Sequence, residues 1–192
     1  MSIAKWWKRH FKRQKQTLKL FNKHILPKYP NSLLHLVGNA KDAPRQGNVI
    51  YYKRSFHNQA YVDVFKKSHI NLVLGPFDVQ PKTITESLYY RVPFVCSNNC
   101  VGQELIDQLG PCGKMVETDP YIRSFEDCRQ YRPLTHSRFY GRHLDNLSIM
   151  RAIDDIVDNF GTYTSWKWTD QLSPETEAKK LANILDHEKR VD

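Results

Sequence analysis

Apolar positions along the chain follow two alternating periods. Between residues 14 and 26, Leu18, Phe21 and Ile25 return at helical spacing until Pro27 and Pro30 interrupt them, which predicts an amphipathic helix. The next run, SLLHLVG, is short, apolar and closed by Gly38, as expected of a buried strand, and residues 39–48 are polar with Pro and Gly, as expected of a loop. NVIYY is a second strand. Residues 58–68 predict a helix with Tyr61, Val64 and Phe65 on one face and Asn58 as its N-cap. INLVL, over residues 70–74, is nearly continuous in aliphatic and β-branched residues, the signature of a strand covered on both faces of a parallel sheet. Gly75 and Pro76 end it. Pro81 suits the first turn of a helix that carries Ile84, Leu88 and Tyr89 inward, PFVCS follows as another buried strand, residues 101–109 form a short helix, and GKMVE is the last strand.

The pattern then breaks. Residues 118–145 are polar and aromatic, with Tyr121, Phe125, Tyr131, Phe139 and Tyr140, and read as a long functional loop or a packed arm. Residues 147–187 predict two closing helices, the first burying Ile149, Ile153, Ile156, Val157 and Phe160, the second starting at Ser173-Pro174 and presenting Ala178, Leu181 and Leu185. Between them TSWKWTD sets Trp166 and Trp168 at strand-like alternation. Helices alternating with strands over short connections define right-handed βαβ units, so the fold class expected is α/β with a doubly wound, mainly parallel sheet. A length of 192 residues with 40% hydrophobic content suffices for one core and is short for two, so residues 1–192 are expected to form a single domain.

Charge adds a partner question. The net charge is +9, and Lys5, Lys8, Arg9, Lys12, Arg13, Lys15 and Lys19 follow one another with no acid among them, interleaved with Trp6, Trp7 and Phe11. A basic aromatic segment over residues 1–14 offers cations to nucleic acid, anionic lipid headgroups or a phosphorylated substrate, or serves as a solvated helix face. No run reaches the ~20 apolar residues that span a bilayer, and the amino terminus lacks the apolar core of a secretion signal, so a cytoplasmic protein, peripheral at a membrane if anything, is expected. Cys96, Cys100, Cys112 and Cys128 match no familiar zinc or redox spacing and are expected as reduced thiols.

Chemistry concentrates after the INLVL strand. In an open parallel sheet, ligands bind beyond the carboxyl ends of the strands, where loops enter helix N-termini. There the chain reads GPFDVQPKTITESLYYRVPFV, with Asp78 in the loop and Glu86 in the helix. The amides near Lys82, Thr83 and Ile84 would face an anion with the favourable end of the helix dipole, and Lys82 adds a full charge, so a diphosphate fits. One carboxylate can accept from both hydroxyls of a ribose and the other from hydroxyls of a sugar. His57, His136 and His143 have no partner in the sequence and are assigned no catalysis.

These residues resemble the retaining glycosyltransferases of the GT-B fold, in particular the large group 1 family, whose signature is Glu-x7-Glu, a small or apolar stretch, Gly-x-Pro and a Val-rich strand. DVQPKTITESLYYRVPFV follows that order and spacing, KYPNSLLHLVG is similar to the family's strand upstream, and the helix after Asn99 to the one downstream, a resemblance covering about residues 14–116. It departs at three points: Asp78 stands where the family usually has Glu, Arg91 where it has Gly, and Val79-Gln80-Pro81 where it has a glycine-rich loop. The resemblance implies the C-terminal, donor-binding half of a GT-B enzyme that transfers a sugar with retention from a nucleoside-diphosphate sugar. Asp78 and Glu86 would be catalytic, while Gly38, Lys53, Arg54, Lys82, Thr83, Ile84 and Glu86 would bind the donor; Arg9 and Lys15 are a looser match for the family's diphosphate cations. No metal or other cofactor is expected. The acceptor, whether glycan, protein or lipid-linked, would need an N-terminal domain or partner chain, because nothing here is long enough to supply that half. The alternative is a non-enzymatic binding module whose basic N-terminal helix contacts membrane or nucleic acid, with the α/β body as scaffold.

Overall fold

The computed structural model describes residues 2–3, 14–38, 46–52, 59–75, 82–98, 102–117 and 144–166. Within them lie six strands: β1 (Ser2–Ile3), β2 (Leu34–Val37), β3 (Val49–Tyr52), β4 (Asn71–Val73), β5 (Phe94–Ser97) and β6 (Gly113–Val116). The helices are α1 (Gln14–Leu20), continued by a π-helical turn (Phe21–Ile25) into α2 (Leu26–Lys28), then α3 (Gln59–Lys66), α4 (Lys82–Tyr89), α5 (Gly102–Leu109), α6 (Asn146–Asp158) and α7 (Phe160–Thr164). Every strand pairing is parallel, in two three-stranded sheets of order β1-β2-β3 and β4-β5-β6. The protein is therefore a mixed α/β structure with small parallel sheets. Strand β1 lies beside β4, where the two sheets meet.

Side-chain alternation explains the layering. In β2, Leu34 and Leu36 point to one side and Val37 to the other, and in β5 Val95 opposes Phe94 and Cys96. The first side gathers Leu34, Leu36 and Val49 of one sheet with Leu72, Leu74 and Val116 of the other under Leu18, Phe21, Ile25, Ile149, Ile153 and Ile156 of α1, its π turn and α6. The opposite side is closed by α3 through Tyr61, Val64 and Phe65, and by α4 and α5 through Ile84, Leu88, Leu105 and Leu109. Strands covered on both faces read as continuous apolar runs, which is why β2 and β5 were legible as buried.

Some sequence expectations need correction. Pro27 does not stop the first helix, which continues to Lys28 with Pro27 in the first turn of α2. The turn ahead of it is widened, the Leu26 amide donating to the Phe21 carbonyl five residues back, and this shifted register accommodates a ring that lacks an N–H. Tyr89, expected inward, is 69% exposed. The buried stripe of α4 is Ile84, Ser87 and Leu88, so the next position is rotated about 100° away. Val157 is exposed as well, one position past the buried Ile156, and Phe160 is half-buried, beyond the break at Asn159 where α7 begins. Strand β1 was not anticipated, two residues being too short to show a period. Asn58, residues 118–143, Trp168 and the second closing helix lie outside the described residues.

Two adjacent acids anchor α6. Asp154 accepts from Lys28 at 2.7 Å and from the Tyr29 hydroxyl at 2.8 Å, while Asp155, a helical step further round, accepts from Lys114 of β6 at 2.6 Å and the Tyr163 hydroxyl of α7 at 2.6 Å. Burial, followed by the bond to Asp154, pushes the Tyr29 hydroxyl up to about 12, so it stays a donor at any working pH. The Lys114 and Tyr163 bonds hold the Asp155 carboxyl below the usual carboxylate range.

His35 of β2 is buried with Nδ1 at 3.0 Å from the Tyr52 hydroxyl. Burial first, then the positive charges of the amino terminus and Lys67, hold its imidazole below the ordinary 6.5. The unfolded chain then takes up a proton at a higher pH than the folded one, so stability falls as pH drops below about 6.5 and the loss ends only below the folded value. His35→Gln is expected to flatten this limb of a plot of Tm against pH; an unchanged slope would assign the effect to other groups.

Candidate functional site

The candidate site is organised by α4, which follows β4. Asn71, fully buried on β4, fixes that helix by donating from Nδ2 to the Thr83 carbonyl at 2.9 Å and to the Ser87 hydroxyl at 3.3 Å, and Ser87 in turn donates to the Ile84 carbonyl at 2.8 Å. Lys82 is exposed as the first residue of α4, Thr83 is half-buried behind it, and Ile84 is fully buried in the core between α4 and the sheet. Ile84 can therefore serve a ligand through its backbone amide, its side chain being spent on packing.

Glu86 is half-buried and accepts a hydrogen bond at Oε2 from the Tyr61 hydroxyl of α3 at 2.7 Å. This contact joins α4 to α3 and fixes the carboxylate. A carboxylate accepts at roughly four lone-pair sites, so one hydroxyl does not saturate it. Tyr61 packs edge-on against Phe65 with ring centroids 5.2 Å apart, and Phe65 stacks on Tyr90 at 5.5 Å, so the group orienting Glu86 is itself held by aromatic packing. Val37 belongs to the same cluster, which brings the end of β2 to this side. There Gly38 has a φ of 154°, a conformation L side chains rarely adopt, and its amide donates to the Tyr52 carbonyl at 2.8 Å.

Polar groups also gather at the ends of the neighbouring strands. The Ser97 hydroxyl donates to the Gly75 carbonyl at 2.6 Å, tying the carboxyl end of β5 to that of β4. Asn98, next in line, has its side-chain oxygen buried without a hydrogen-bond partner among the described residues. Gln14, at the start of α1, donates to the Val37 carbonyl at 3.4 Å. The structure thus brings Gly38, Lys82, Thr83 and Glu86 to the helix-entry side of the sheet, whereas Asp78, Lys53, Arg54 and Arg9 lie outside the described residues. Lys15 is exposed on α1. Sequence reading missed Tyr61 as the partner of Glu86, as well as Asn98; a tyrosine on an apolar helix face carries no sign of where its hydroxyl goes.

Arg91 closes the turn after α4. The turn after α4 bonds the Val92 amide to the Ser87 carbonyl and the Arg91 amide to the Leu88 carbonyl, both at 2.9 Å, with Arg91 at a φ of 57°. This is a Schellman ending, whose left-handed position favours glycine. Arginine is strained there but contributes contacts: its guanidinium donates to the Trp166 carbonyl at 2.9 Å and the Thr164 carbonyl at 3.2 Å, 5.7 Å above the Trp166 ring. Arg91→Ala should lose the clasp and keep the strain, whereas Arg91→Gly loses the clasp and relieves it, so in urea denaturation the glycine variant should be the more stable by about 1 kcal/mol. Equal stabilities would remove backbone strain from the account.

Among the described residues no group of three His, Cys, Asp or Glu side chains is gathered as a metal ion would require, and no helix is long and apolar enough to cross a membrane. Cys96 and Cys112 are buried and take part in no disulfide, and burial pushes the Cys112 thiol up to about 12, which leaves it protonated and unreactive. The chain matches no protein-family model and no curated protein sequence.

Proposed function

We propose that the chain is a Rossmann-like, donor-binding half of a GT-B glycosyltransferase, holding a nucleoside-diphosphate sugar beyond the carboxyl ends of its strands. The observation that carries this reading is strand order. With β1 beside β4, we read the two three-stranded sheets as one series, β3-β2-β1-β4-β5-β6, which would match the order of doubly wound nucleotide-binding sheets, whose direction of winding reverses between β1 and β4. Ligands in such sheets lie in the crevice at that reversal, and α4, with Lys82 and Glu86, enters directly after β4. The basic segment 4–13 connects β1 to α1 in the chain.

In this reading Glu86 accepts from the ribose hydroxyls in the orientation Tyr61 gives it, Asp78 accepts from the sugar, and the first amides of α4 with Lys82 face the diphosphate; Gly38, Lys53 and Arg54 contribute to the same donor. As the bond from the anomeric carbon to the diphosphate breaks, negative charge grows on the leaving phosphate and positive charge on the sugar, and fixed dipoles and cations on the phosphate side lower that barrier without a metal. The sugar passes with retention to an acceptor presented by another domain or chain. Isothermal titration with uridine, guanosine and adenosine diphosphates and their sugar esters tests the reading: saturable heat with one base is expected, and its absence for all of them would sink it.

A second reading rests on Lys15, Lys19 and Lys23, which are exposed at intervals of four along α1 and its π turn. This stripe favours a binding module docked through its N-terminal helix on anionic membrane or nucleic acid. It predicts steeply salt-dependent binding that is lost when the three lysines are neutralised, with no response to nucleotide.

A further inference from the structure

A cavity opens at the amino edge of the sheet, the end opposite the proposed donor site. Strand β1 pairs with β2 only at Leu36 and Val37, so Leu34 and His35, where β2 begins, have no β1 partner among the described residues. In this region lies a cavity of about 540 Å³, between the approaches to β2 and β4 and beneath the π turn and α6. That volume falls within the roughly 300–1,000 Å³ of small-molecule sites. Phe21, Ile25, Leu34, Leu72, Ile153 and Val157 give it apolar walls.

Four of the polar side chains in its lining are already engaged. The Tyr29 hydroxyl donates to Asp154, the Ser32 hydroxyl to the Tyr29 carbonyl, the Ser68 hydroxyl to the Val64 carbonyl, and His35 pairs with Tyr52. The body of an occupant therefore meets hydrocarbon with little unmet hydrogen-bonding demand. Full charge at the lining has one sign: Lys28 and Lys67 contribute to it, and no Asp or Glu does. Lys28 is neutralised by Asp154, whereas Lys67 is exposed and has no ion-pair partner among the described residues. Leu33 and Val157, also in the lining, are 51% and 41% exposed, apolar surface that an occupant would cover.

We infer that this cavity binds a single-chain anionic amphiphile, an apolar tail within the walls and a carboxylate or phosphate head held by Lys67. The inference is independent of the donor reading, since it uses the other end of the strands and none of the donor residues. It is tested by calorimetric titration with dodecanoate and dodecyl phosphate below their micellar concentrations, with dodecyltrimethylammonium and dodecyl maltoside as controls of equal tail length. Both anions should bind and raise Tm, about tenfold more tightly than either control, and Lys67→Glu should weaken the anions by about tenfold while leaving dodecyl maltoside unchanged. A tighter fit of one anion over the other supports the site and identifies its head group. Val157→Trp, a change at an exposed position, should block every ligand, and Leu33→Trp serves if that variant does not fold. Equal affinity for the cationic and anionic detergents, undiminished binding in a folded tryptophan variant, or binding only to phosphatidylglycerol vesicles with none to the monomers would each overturn the inference.

Discussion

Phe94→Ala is expected to destabilise the protein by about 3–5 kcal/mol, because a fully buried aromatic side chain would leave a cavity that its neighbours cannot close. The ring stands over Gly113, its partner in the β5–β6 register: a Cβ built on Gly113 would come within 2.6 Å of it, closer than real contacts allow. Gly113→Ala alone is therefore expected to cost about 1–3 kcal/mol through overpacking. The two changes relieve one another, since removing the ring makes room for the methyl. The double variant should be more stable than the sum of the single costs implies, by about 0.5–3 kcal/mol in a denaturant cycle. Additive costs would place the Gly113 effect in the backbone instead. The pair matters to the site because Phe94 packs with Ile84 and Leu88, the buried face of α4. Loosening this core would loosen the helix that carries Lys82 and Glu86.

Residues 14–116 were legible where one face or both faces of an element are committed to the core. β2, β3, β5 and α3 fall at or within a residue or two of their expected limits because their apolar periods are unbroken, and α5 begins at Gly102, one residue after its expected start. Legibility failed where local rules were overruled by context. Pro27 carries a stop signal that the widened turn before it cancels, and Tyr89 carries an aromatic preference for burial that helix geometry denies. At the candidate site, sequence placed Lys82, Thr83, Ile84 and Glu86 on one helix, and all four lie on α4. It could not see the pairing of Glu86 with Tyr61 across twenty-five positions, nor the buried oxygen of Asn98, since both depend on how separate segments pack. Arg91 was legible as a departure from glycine but not as a clasp on Trp166, which is remote in sequence. The cavity at the amino edge was beyond sequence altogether, because it follows from the register of a strand two residues long.

Glu86→Ala is expected to weaken binding of the preferred nucleoside diphosphate by about tenfold to a hundredfold, the loss of one or two hydrogen bonds to a charged acceptor. Its stability should fall by about 0.5–1.5 kcal/mol, the worth of the bond from the Tyr61 hydroxyl, which is the hydrogen bond it makes among the described residues. Tyr61→Phe separates orientation from binding. The variant keeps the ring packing on Phe65 and removes only the hydroxyl, so it should cost about 0.5–1.5 kcal/mol of stability and weaken the nucleotide several-fold by freeing the carboxylate rotamer, less than Glu86→Ala does. If Tyr61→Phe strengthened binding, the hydroxyl would be a competitor that the ribose must displace, and Glu86 would still be the ribose ligand. If neither variant altered affinity while both lost stability, the Tyr61–Glu86 bond would be a strut between α3 and α4, and the nucleotide would have to be held elsewhere. The ordering of the three affinities, wild type above Tyr61→Phe above Glu86→Ala, is the result that ties this pair to the donor.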